Sequence, residues 1–85
     1  MNTSQNEIIT IATDYINNVD NYEYIFIQLY GGLPSEFNPY NFPRDIDCWV
    51  VQFLRNEIGL FSSTLVAVNK ADGKVIWYGS AGDEG

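Results

Sequence analysis

The run Ser63-Thr-Leu-Val-Ala-Val-Asn-Lys-Ala-Asp-Gly-Lys-Val-Ile-Trp-Tyr78 constrains this chain most, because two apolar segments flank an Asn-Lys-Ala-Asp-Gly turn. Thr64, Val66 and Val68 alternate with Leu65 and Ala67, the period of a strand with two distinct faces. Gly73 can take the positive φ that closes a type I turn plus bulge. The segment is therefore expected to be a β-hairpin, with strands over about 63–69 and 74–79, that completes a sheet. Gly79-Ser-Ala-Gly-Asp-Glu-Gly85 follows it. This reads as a flexible terminus, with the qualification that Ser80 could cap a turn and Asp83 and Glu84 could dock back on the protein.

Upstream, Ser4-Gln-Asn-Glu7 fits a capping box, in which the serine hydroxyl accepts from the third helical N–H. Ile8, Ala12, Tyr15, Ile16 and Val19 then recur at three- and four-residue spacing, predicting an amphipathic helix over about 4–18. Asn17-Asn18-Val19-Asp20-Asn21 should end it, since these polar side chains compete for backbone hydrogen bonds. Two further β-forming runs follow, at about 22–30 and 48–54. Strict alternation in the first puts Ile25, Ile27 and Leu29 on one face and Tyr24, Phe26 and Tyr30 on the other. In the second, Trp49, Val51 and Phe53 oppose Val50 and Leu54. One helix followed by four strands predicts an α+β fold, a single domain over 1–85 with the helix packed on a curled antiparallel sheet.

Between the first two strands lies a loop, 31–47, that holds all three prolines and Gly31-Gly32, so no regular element is expected to persist there. Long irregular connections are uncommon in compact domains and often bind something. Phe37, Tyr40 and Phe42 are either anchors for a partner or pins that hold the loop to the core. With Glu36, Asp45 and Asp47 they form the candidate partner-binding set. Trp49 and Trp77 are expected in the core or on a sheet face; on an uncovered face, one of them with Tyr24 or Tyr78 would make an aromatic patch.

Chemistry is mostly excluded. The chain contains no histidine, which removes Ser-His-Asp and Cys-His catalysis and the commonest general base near neutral pH. Asp45 and Asp47 are the closest acidic pair in the loop, but a solvated pair partly balanced by Arg44 accounts for them better than glycosidase-like chemistry. Cys48 is the single cysteine, too few for a disulfide or a cysteine-based zinc site. Asp83 and Glu84 do not follow the twelve-residue calcium loop, and Gly79-Ser-Ala-Gly82 is not followed by a phosphate-binding helix. No metal, cofactor or catalytic residue is expected.

Eleven acidic residues against four basic ones give a net charge of −7, which repels nucleic acid and anionic lipid and attracts a basic protein surface. A simple role in solubility fits the same charge. No apolar run has the length of a membrane span, and the first residues lack a signal-peptide pattern, so a cytoplasmic location is expected.

Trp49 through Phe53, the strand and turn ending Val68-Asn-Lys-Ala-Asp-Gly-Lys-Val75, and the Gly79–Gly85 tail together resemble small bacterial immunity proteins of polymorphic toxin systems. The resemblance spans the C-terminal half and includes the NTF2-fold immunity families; because the chain is shorter than a full NTF2-type domain, it points to a cystatin-like or reduced NTF2-like helix-plus-sheet. It implies neutralisation of a basic toxin by direct binding, and assigns no contact residue. The function expected is a small acidic, non-catalytic protein-binding module. The alternative is a structural or dimerisation module that uses an aromatic sheet face or an exposed strand edge, with a homodimer as the partner.

Overall fold

A computed structural model describes residues 4–20, 22–55 and 63–82. Its element order is α1 (Gln5–Val19), β1 (Tyr24–Tyr30), β2 (Cys48–Arg55), β3 (Ser63–Asn69) and β4 (Val75–Ser80). The strands form one antiparallel sheet in sequence order, β1-β2-β3-β4, and α1 packs on one face, which makes the fold α+β.

The helix starts where its cap requires. Ser4 Oγ accepts from the Glu7 amide at 3.2 Å, while the Glu7 carboxylate accepts from the same hydroxyl at 3.3 Å. Asp20, in extended conformation, ends the helix. Ile8, Ala12 and Ile16, one turn apart, are buried against Val51, Phe53, Val66 and Val68 of the two central strands. Burying a side chain such as Ile8 or Ile16 stabilises the fold by about 1.5–3 kcal/mol. This layer is the larger core of the domain.

Strict alternation fails in β1. Tyr24, Ile25 and Phe26 pair in step with Arg55, Leu54 and Phe53, but Gln28 then pairs with Gln52, which leaves Ile27 as an extra residue in a bulge. An inserted residue reverses the facing of everything after it. Tyr24 and Leu29 consequently both pack toward α1, whereas Tyr30 packs on the opposite face. The expected grouping of Tyr30 with Tyr24 and of Leu29 with Ile25 is thus corrected. Tyr22 lies just outside the strand, with the Arg55 guanidinium 3.6 Å above its ring.

The second face is also covered. Val50, Leu65 and Ala67 form a second cluster with Cys48, Phe37 and Ala81, against which Tyr30, Leu33, Phe42 and Trp77 pack. Its covering layer is the 31–47 loop. Trp49 therefore belongs to the helix side and Trp77 to the loop side. The polar groups on this face are joined in a chain: the Tyr30 phenol donates to Gln52 Oε1 at 2.8 Å, and Gln52 Nε2 donates to the buried Ser63 Oγ at 2.9 Å. Paired in this way, they avoid the cost of burying unsatisfied polar atoms.

The β3–β4 turn forms as its residues dictate. Asn69 Oδ1 accepts from the Ala71 amide, Asp72 Oδ1 accepts from the Lys74 amide, and Gly73 adopts φ 72°. Beyond β4, Ala81 is fully buried, its amide bonded to the Ser63 carbonyl and its carbonyl accepting from the Asn38 amide. Ser80 Oγ accepts from the Gly82 amide at 3.3 Å. Residues 80–82 are therefore part of the scaffold and not the loose terminus expected from their glycines, because their backbone groups bridge β3 to the loop. The expectations for Asp83 and Glu84 lie outside the described residues.

Candidate functional site

The 31–47 loop is built from short local turns and long-range tethers. The Pro34 carbonyl accepts from the Phe37 amide at 3.2 Å, and the Pro43 carbonyl accepts from the Ile46 amide at 3.4 Å. A fixed proline φ favours such turns, which supply the structure that no helix or strand could. The tethers are Asn38 N–H to Ala81 and, at the far end, the Lys70 amide to the Asp47 carbonyl at 3.2 Å.

The aromatic residues of the candidate set divide by role. Phe37 is buried edge-on to Tyr30, with ring centroids 5.9 Å apart, and Phe42 meets Trp77 edge-on at 5.0 Å. Both pin the loop to the sheet. Tyr40, between them, is 84% exposed, next to a buried Pro39 and to Asn41 in the left-handed region at φ 57°. The buried Pro39 anchors the backbone beside this ring, so a partner that met the ring would have less of the chain to order.

The acidic members sit at separate places. Glu36 is exposed at the Tyr30 end, where burial and then the Glu36 charge push the Tyr30 phenol above its ordinary pKa. Asp45 and Asp47 are exposed at the other end and line a hollow of about 450 Å³ with Arg44, Leu33 and Phe42. The cation that meets Asp47 is Lys70, from the hairpin turn, at 3.0 Å. Lys70 Nζ also lies 4.9 Å from the Trp49 ring centroid. Cys48, buried beside this end, has its thiol pKa raised by burial first and by Asp47 second.

Comparison with protein-family models, with curated proteins and with solved structures gives no match. Glu36, Tyr40, Asp45 and Asp47 present polar or aromatic groups to solvent along one loop, while Phe37 and Phe42 support them from below. Among the described residues, no three of His, Cys, Asp and Glu cluster in a way that could hold a metal ion. No helix among them is long and apolar enough to cross a membrane.

The structure adds residues that sequence reasoning left out. Tyr40 lines a cleft of about 460 Å³ with Asn38, Asn41 and Trp77 and the outer strand from Tyr78 to Ser80. The sequence signal for it is Trp77-Tyr78-Gly79: with a glycine two residues on, the indole can lie across the strand. A Cβ at Gly79 would come within 2.9 Å of Trp77 Cζ2.

Proposed function

We propose that this chain is a non-catalytic protein-binding module that engages a basic partner through the outer surface of the 31–47 loop. The observation that carries the reading is Tyr40, 84% exposed on a loop whose neighbouring Phe37 and Pro39 are buried. Exposed tyrosines on an ordered scaffold are favoured contact residues, since they bring a large contact area at low entropic cost. Glu36, Asp45 and Asp47 supply an acidic rim, and the net charge of −7 speeds encounter with a cationic surface.

The absence of histidine and the open, solvated position of Asp45 and Asp47 support a non-catalytic role. The resemblance to bacterial immunity proteins supports a basic toxin as the partner, met in the cytoplasm. Affinity capture at low and high salt with the native chain and with a Glu36→Gln, Tyr40→Ala, Asp45→Asn, Asp47→Asn variant tests the reading. The expected result is a basic protein held by the native chain, released by salt and lost with the variant. Equal capture by both chains would reject the loop as the contact surface.

A further inference from the structure

We propose that the outer edge of β4, from Tyr78 to Ser80, takes up an extended segment of the basic partner as a fifth strand, a role that rests on the reading that this chain binds a basic protein. The Ala81 amide donates inward to the Ser63 carbonyl at 2.9 Å, and the pairing of Trp77 through Ser80 with Ala67 back to Thr64 runs unbroken up to it. Main-chain bonds alternate along an antiparallel pair, so Trp77 and Gly79 also bond inward to β3, while Tyr78 and Ser80 turn their N–H and C=O groups outward. Among the described residues β4 has a strand on one side alone, which leaves those outward groups unpaired. Edge strands are ordinarily guarded by charge, proline or a bulge. Trp77–Ser80 has neither charge nor proline and keeps its register, whereas the opposite edge, β1, is broken by its bulge at Ile27.

The surroundings of this edge identify the occupant. Tyr78 and Ser80 border the cleft of about 460 Å³ to which the loop contributes Asn38, Tyr40 and Asn41. Unpaired main-chain groups two residues apart match the repeat of an extended chain, and three residues laid opposite 78–80 span about 10 Å. Tyr40 and Trp77, which line the same cleft, offer ring surface to an apolar side chain at the centre of the segment. No residue lining the cleft is charged, so that centre is neutral and the positive residues of the segment fall outside it. The net charge of −7 attracts them there and repels a second copy of this chain.

Selection of displayed random octapeptides on the native chain, followed by amide exchange with one synthesised winner, provides the test. Peptides with lysine or arginine flanking an apolar residue should be enriched, and the bound peptide should slow exchange of the Tyr78 and Ser80 amides about tenfold or more. Ser80→Pro removes an outward N–H and no bond to β3, so it should weaken the peptide about tenfold, one hydrogen bond's worth. Ser80→Ala keeps that N–H and should bind within about twofold of the native chain. Enrichment of no basic peptide, unchanged exchange at both amides, or equal binding by Ser80→Pro overturns the proposal. If Ser80→Pro does not fold, exchange in the native chain decides: slowing at both amides supports the added strand, and unchanged rates remove it. The two readings fail separately. A basic protein held equally by the native chain and Ser80→Pro, but lost with the loop variant, rejects the edge and leaves the loop as the contact surface. Capture of no basic protein in a salt-sensitive way rejects the loop reading, and with it the basic segment, even where a peptide protects the edge.

Discussion

The Tyr24 phenol donates a 2.6 Å hydrogen bond to Asp20 Oδ2, which ties the first residue of β1 to the residue that ends α1. Burial, and then this bond to a carboxylate, push the Tyr24 pKa up to about 12 from an ordinary 10.0. In the unfolded chain the phenol ionises at the ordinary value, so above it the unfolded state holds fewer protons and gains in relative stability. The contribution of Tyr24 is complete below about pH 10 and is lost as pH rises toward 12. Urea midpoints across this range should fall more steeply for the native chain than for Tyr24→Phe. At neutral pH the same variant should cost about 1 kcal/mol for the lost hydrogen bond.

Gly82 should tolerate no side chain. It adopts φ 70°, and a Cβ there would lie 2.3 Å from the Asn38 carbonyl oxygen, a backbone atom held by the loop. Gly82→Ala is expected to cost about 2–4 kcal/mol in urea unfolding, combining left-handed strain with a clash that only the backbone can relieve. Gly79→Ala should cost less, about 1–2 kcal/mol, because the atom in its way belongs to the Trp77 side chain and the ring can tilt.

Pinning and binding can be separated within the loop. Phe37→Ala should destabilise by about 3 kcal/mol and open 31–47 to proteolysis, since it removes a buried ring from the second cluster. Tyr40→Ala should change stability by no more than about 0.5 kcal/mol while abolishing partner capture. A large loss of stability in Tyr40→Ala would show that the ring packs in solution.

The Cys48 thiol, 3% exposed and raised in pKa by burial, should react slowly with thiol reagents in the folded protein. Its rate should rise to that of a free cysteine in denaturant. Fast labelling without denaturant would mean that the loop end near Asp47 opens readily.

Local chemistry in the sequence determined a good deal: the Ser4 cap, the apolar stripe Ile8-Ala12-Ile16, the period of β2 and β3, and the Asn69–Gly73 turn each involve residues close in the chain. Cap, period and turn residue act over a few positions, so they can be read without knowing what lies across the core. The single α+β layer of one helix on a four-stranded antiparallel sheet followed from them.

Only the tertiary structure decided the rest. Ile27 carries no sign of a bulge in its own sequence; the extra residue is defined by pairing with β2, and it decides which β1 side chains meet the helix. The candidate set Glu36, Phe37, Tyr40, Phe42, Asp45 and Asp47 was visible as aromatics and carboxylates in an irregular segment, but its division was not. Phe37 and Phe42 turn inward because Tyr30 and Trp77 offer rings at the right distance, and Tyr40 stays outside. Likewise, Ala81 and Gly82 look like a loose end until Ser63 and Asn38 are placed on either side of them. Burial depends on what the rest of the chain brings to a position, and that information is spread over residues far apart in sequence.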